Sequence, residues 1–323
     1  MGRLLSVEGL STEFRTERGI VRAVNNVSYN VDEGEIVGIV GESGCGKSVT
    51  QLSILQLIPN PPGRIVAGTA ELEGVNLLQF KRDSREMCAI RGSKISMVFQ
   101  EPMTSLNPAV TIGKQMAEVL TVHMKISKRE ARDKVTDMLS QVNIPDAGRR
   151  VDDYPHQLSG GMRQRVMIAM AMLCNPKLII ADEATTALDA TIQAQLLELL
   201  YSMVGKFKTA LVMVTHNLGI VARYANRINV MYAGRIIESG TVKEIWSRPM
   251  HPYTEGLLKC VPRLGEKLLP IRGMPPTLIN MAETCPFFAR CKERCESCNT
   301  EPMIDLTHVE GQHSTTCTVR LGS

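Results

Sequence analysis

Residues Gly41-Glu42-Ser43-Gly44-Cys45-Gly46-Lys47-Ser48 constrain this chain more than any other stretch, because of what stands on either side of them. Ile36 to Val40 is a short apolar run, partly β-branched, as expected of a strand buried on both faces. After the glycines a helical spacing starts near Lys47 and carries Val49, Leu52, Leu55 and Ile58. Strand, glycine loop and helix together turn backbone N–H groups toward a phosphate, with the positive end of the helix behind them. In that arrangement Lys47 reaches the outer phosphates of a nucleotide and the Ser48 hydroxyl ligates Mg²⁺. A glycine turn without a ligand is the bland alternative, and the correct strand and helix around it argue against that.

The rest of the chain supplies a fold for this loop. "KLIIADE" (Lys177 to Glu183) and "ALVMVTH" (Ala210 to His216) read as two more buried strands, with a helical stretch from Ile192 to Val204 between them. Strands alternating with helices predict an α/β fold on a mostly parallel sheet. Residues from about 102 to 157 are helical in pattern and bounded by prolines, so an inserted helical subdomain is expected there. "RINVMYAGRIIESG" carries shorter strand patterns, and from His251 prolines and cysteines suggest a small appended domain. The expected organisation is a cassette over 1–250 and a cysteine-bearing extension over 251–323.

Asp182 ends a buried apolar strand, where holding Mg²⁺ gives a carboxylate a reason to be. Glu183 follows as the group to orient or deprotonate an attacking water. On this pair alone, capping of the next helix is the competing reading.

With 323 residues, 44% hydrophobic and 22% charged, the chain has the composition of a globular protein with a proper core. A formal charge of +4 is no nucleic-acid signature at this length. No apolar run approaches the roughly eighteen residues that cross a bilayer, and the N-terminus lacks a signal-peptide core. A cytosolic chain is the expectation. There, nine cysteines point to metal ligation or ordinary burial rather than disulfides. Cys45, Cys88, Cys174 and Cys260 are scattered, but Cys285, Cys291, Cys295, Cys298 and Cys317 gather in the tail.

"LSGGMRQR" (Leu158 to Arg165) resembles the signature sequence of ATP-binding-cassette (ABC) ATPases. "VFQEP" with Gln100 resembles their Q-loop, "TALD" ending at Asp189 their D-loop, and "VTH" ending at His216 their switch histidine. The resemblance covers roughly residues 5 to 245. It implies a P-loop core with an antiparallel β subdomain and an inserted helical subdomain. It also implies two cassettes paired head to tail with ATP between them. Ser159, Gly160 and Gly161 then serve the partner's nucleotide, while Gly41 to Ser48, with Val49 following, bind this chain's own. Gln100 contacts Mg²⁺ or the attacking water, His216 the γ-phosphate, and Phe14 stands where the family places an aromatic on adenine. A lone Phe before a strand is as readily a core residue. Two departures stand out. Ala184 replaces the usual proline, which leaves Glu183 less firmly held. Asn217 replaces the usual aspartate and removes a charge.

"RPMHPYTEGLL" (Arg248 to Leu258) and the text after it are similar to the C-terminal extension of the ATPases of dipeptide and oligopeptide importers and their nickel-importing relatives. That likeness implies a second, homologous ATPase, two transmembrane permease subunits and an external solute-binding protein. It places the chain peripherally on the cytoplasmic face of the membrane, with no nucleic-acid partner. It further implies that Cys285, Cys291, Cys298 and Cys317 hold a [4Fe–4S] cluster in a structural role. Four thiolates on short loops suit either such a cluster or a tetrahedral zinc. Cys295 is the spare thiol, close enough to Cys298 for an exchange. His308 and His313 could complete a zinc site but are expected as solvated loop residues.

Overall fold

The computed structural model describes residues 2–99, 105–183, 189–262 and 270–322. Its strands are β1 (Arg3–Thr16), β2 (Gly19–Asp32), β3 (Ile36–Val40), β4 (Gly63–Leu72), β5 (Val75–Asn76) and β6 (Ile95–Val98). They continue with β7 (Leu178–Asp182), β8 (Ala210–Thr215), β9 (Arg227–Tyr232), β10 (Arg235–Thr241), β11 (Thr307–Glu310) and β12 (His313–Thr315). The chain divides into two compact units, Met1–Gln79 with Met213–Ser323, and Phe80–Val212. β8 contains the residue at which the chain passes from one unit to the other.

The first unit contains an antiparallel sheet in the order β2-β1-β4-β5. Leu5 stands opposite Val31 and Leu72, and Val7 opposite Tyr29 and Ala70, so one face of the pleat collects buried apolar side chains. The same unit contains β3, buried at all five residues, running parallel to β9 with Val37 opposite Arg227. β9 turns tightly into antiparallel β10 through Ala233 and Gly234, whose φ of 48 and 83 suit a two-residue hairpin. β12 pairs with β10, Glu238 opposite Thr315, and β11 pairs with β12. The tail of the chain therefore extends the sheet that carries β3.

The second unit contains β6 and β7 in parallel register, Ile95 opposite Leu178 through Val98 opposite Ala181. Helices Ile112–Met124 and Lys128–Gln141 bury Ile112, Met116 and Leu120 on one and Ala131, Val135 and Leu139 on the other. Spacings of four residues keep each set on one face, which is why these segments are helices. No helix among the described residues is long and apolar enough to cross a membrane.

Candidate functional site

β3 delivers the chain into the loop Gly41–Ser48, and two glycines there have no substitute. A Cβ on Gly41 would stand 2.1 Å from the Met231 carbonyl oxygen, and one on Gly46 2.2 Å from that of Ala23. Gly46 also sits at φ 104, a conformation side chains disfavour. The β9–β10 hairpin props the loop from beneath, since Gly234 N–H donates to the Cys45 carbonyl at 2.8 Å. Lys47 is 4% exposed, and its Nζ donates to the Gly41 and Glu42 carbonyls at 2.9 and 3.0 Å. Helix Lys47–Ile54 starts without a side-chain cap, and the positive end of a helix favours an anion there. Ser48 begins this helix beside Lys47. Burial pushes the Cys45 thiol up and keeps it protonated.

In the same unit His216 follows β8 on the exposed surface. Asn217 caps helix Leu218–Tyr224, its Oδ1 accepting from Gly219 and Ile220 N–H at 3.0 and 3.3 Å. The uncharged amide thus does the capping that an aspartate would do. Phe14 is half-buried in β1, opposite Val21 and Gly63.

The second unit carries the remaining sequence candidates. Asp182 ends β7 with 5% exposure. Glu183 then takes φ 45, a left-handed conformation rare for such a residue, which marks it as a candidate functional position. Ser159 caps helix Gly160–Met172, its hydroxyl accepting from Met162 N–H at 3.3 Å. Gly160 is exposed beside it and Gly161 half-buried. Asp189 caps helix Ala190–Phe207 through Thr191 and Ile192 N–H. Gln100 and Ala184 lie outside the described residues.

Beyond these lies a set of contacts that sequence reasoning missed. Tyr253 is fully buried, and its hydroxyl accepts the Glu42 N–H at 2.8 Å. Burial, with the Glu42 charge beside it, keeps that phenol far above its ordinary range. Arg290 grips the Glu42 carboxylate with two nitrogens, at 2.6 and 2.9 Å. It also donates to the Arg272 carbonyl at 3.0 Å and packs over the Tyr232 and Phe287 rings. Its hydrogen bonds to Glu42 hold the guanidinium pKa above its ordinary value. Tyr232, Tyr253 and Phe287 form one aromatic cluster, with centroids 4.5 to 5.5 Å apart.

Behind this cluster Glu238 of β10 is completely buried and accepts from Met250 N–H at 2.6 Å, His251 N–H at 2.9 Å and His313 Nε2 at 2.7 Å. His313 is therefore not a solvated loop residue: burial in β12 and the bond to Glu238 commit its ring. His251 caps helix Pro252–Lys259, and burial, helped by Arg320, lowers its pKa to about 3, so the ring stays neutral. The HPY spelling thus has a geometry: the histidine caps the helix that aims the tyrosine at Glu42.

Cys285, Cys291, Cys298 and Cys317 line one cavity of about 50 Å³. Cys295 is exposed, with its sulfur 3.3 Å from that of Cys298. Burial pushes the Cys285 thiol up to about 11 and raises Cys291, Cys298 and Cys317 in the same direction. Among the described residues no three His, Cys, Asp or Glu side chains are grouped to hold a metal ion. The two histidines that could complete a zinc site are engaged elsewhere: His313 is spent on Glu238, and His308 Nε2 lies 3.0 Å from the Gly311 carbonyl.

Comparison with known proteins adds to this geometry. A family profile described as "ABC transporter" matches residues 24–186, and one described as "Oligopeptide/dipeptide transporter, C-terminal region" matches 237–298. The dipeptide transport ATP-binding protein DppD of Bacillus subtilis is 50% identical over 302 residues, 93% of this chain and 90% of the relative. The oligopeptide transport ATP-binding protein OppD of the same organism is 51% identical over 86% of this chain and 78% of the relative. A dimeric ATP-binding cassette solved in a post-hydrolysis state with ADP and Pi superposes with a TM-score of 0.65 at 28% identity. It covers 74% of this chain and 98% of the other.

Proposed function

The chain belongs to the ABC transporter family, among the dipeptide and oligopeptide transport ATP-binding proteins, and from that premise we propose that it hydrolyses ATP to drive peptide import across a membrane. The observation that carries this reading is that one compact unit contains both the phosphate-binding loop and the C-terminal region matching peptide transporters. Lys47 and the positive end of its helix bind the outer phosphates. By the family resemblance Ser48 and Asp182 would each contribute to holding Mg²⁺ and Gln100 would contact it, and the ion would supply charge neutralisation for the phosphates. Glu183 accepts the proton of the attacking water, and His216 contacts the γ-phosphate. Phe14 stacks on adenine. Ser159, Gly160 and Gly161 serve the nucleotide of a second, homologous ATPase. The pair works at the cytoplasmic face beneath two permease subunits, to which an external binding protein delivers peptide.

The cysteine cavity belongs to the same proposal. Cys285, Cys291, Cys298 and Cys317 would hold a [4Fe–4S] cluster, which would staple the C-terminal loops. The cavity that these four thiols share supports this reading. Anaerobic purification with iron, sulfide and zinc analysis tests it. Iron and sulfide in equal amounts with a visible spectrum are expected, and metal-free protein that still hydrolyses ATP overturns it.

Reconstitution of the chain with its membrane subunits in vesicles tests the transport reading. ATP hydrolysis stimulated by peptide-loaded binding protein is the expected result. Stimulation by nickel complexes and not by peptides overturns the substrate assignment.

A further inference from the structure

The phosphate-binding loop carries a carboxylate, Glu42, in the place where anionic phosphates approach. An unshielded carboxylate there repels the nucleotide. All three polar parts of Glu42 are engaged. Its carbonyl accepts from Lys47 at 3.0 Å, its N–H donates to Tyr253 at 2.8 Å, and its carboxylate is held by both terminal nitrogens of Arg290. Two of these three partners come from beyond residue 250. The Arg290 side chain is 5% exposed against 25% for Glu42, so the pair sits where water screens it poorly. A bidentate guanidinium fixes orientation as well as charge.

We propose that Arg290 is a positioning residue for ATP binding, acting through Glu42: it neutralises the loop carboxylate and turns it toward the C-terminal segment, away from the nucleotide. Tyr253 holds the backbone of the same residue. This rests on the assignment of Gly41–Ser48 as the nucleotide site. The C-terminal segment thereby becomes part of the nucleotide-binding machinery without touching ATP. The bond runs between residues 248 positions apart, so it is set only once both regions have folded.

A double-mutant cycle on the full-length chain, read by ATP affinity, tests this. Arg290→Met is expected to weaken ATP binding roughly tenfold when Glu42 is present, the scale of one unshielded charge near an anion. In a Glu42→Gln background the same substitution should cost less than about threefold, because no charge remains to neutralise. In the assembled transporter Arg290→Met should raise KM for ATP and leave kcat within about twofold, since Glu183 is untouched. Arg290→Lys, which keeps the charge and loses the fork, should fall between. It also serves as the probe, with the same dependence on Glu42, if Arg290→Met does not fold. Equal losses with Glu42 present and in the Glu42→Gln background assign Arg290 a purely structural role and overturn the proposal. So does wild-type affinity in Arg290→Met. Lys47→Ala is the separate control: binding as tight as wild type there overturns the nucleotide-site assignment itself.

Discussion

In the phosphate-binding loop the contacts of the lysine are short in sequence, while those of the C-terminal segment are long. Lys47 reaches back only five and six residues to the Glu42 and Gly41 carbonyls. His313 reaches 75 residues to Glu238, Tyr253 211 residues to Glu42, and Arg290 248 residues to the same Glu42. The first region is a local device, with glycine conformation, helix N-terminus and lysine inside eight residues. The second is held by bonds that exist only in the finished fold. The comparison shows that a site recognised as one motif can depend on residues a motif cannot contain.

The largest expected effect separates the chemistry from its support. Glu183→Gln keeps the shape but cannot accept a proton, so phosphate release from this chain's site should fall about a thousandfold with ATP binding intact. Single-turnover assays with the partner's site disabled measure this, and undiminished release removes Glu183 from its role.

A second substitution breaks the C-terminal attachment. Glu238→Ala leaves the Met250 and His251 amides and the His313 ring without their buried acceptor. Unfolding free energy should drop by roughly 3–5 kcal/mol, given that each buried group left unpaired costs about 1–3 kcal/mol. Urea melts decide it, and a loss below about 1 kcal/mol means that water replaces the carboxylate and the attachment is loose.

Ser159→Arg acts in the second unit and spares both regions compared above. The bulky cation replaces the cap and blocks the face proposed to meet a partner's nucleotide. ATPase in the assembled transporter should fall about tenfold or more, while ATP affinity of the isolated chain stays at wild type. Identical responses in both settings argue against head-to-tail pairing.

The contrast in contact length also explains what was legible in the sequence. The glycine loop, β3, β7 and β8 were readable because each is a continuous pattern whose period or spacing carries its own cause. Asp182 was readable as a carboxylate ending an apolar strand. Arg290 was not: within "FARCKERC" it is one basic residue among several, and only the fold selects it. Tyr253 within "RPMHPYTEGLL" shows no role in the sequence, because its partner Glu42 lies in another region. His313 looked like a solvated loop residue because nothing near it in sequence reveals the buried Glu238. Glu183 was expected to be loosely held without a proline after it. The left-handed φ of 45 is a feature that residue type alone does not announce.

The smallest effect gives the sharpest test of whether the C-terminal segment holds the phosphate-binding loop. Residue-resolved amide exchange in the nucleotide-free chain reports the Glu42 N–H, which donates to the Tyr253 hydroxyl. Tyr253→Phe removes that acceptor and keeps the ring among Tyr232 and Phe287. If the loop is held as described, Glu42 exchanges about tenfold faster in the variant while amides of β7 keep their protection. Unchanged exchange at Glu42 contradicts the account, because the loop would then keep its shape without the segment that is said to hold it.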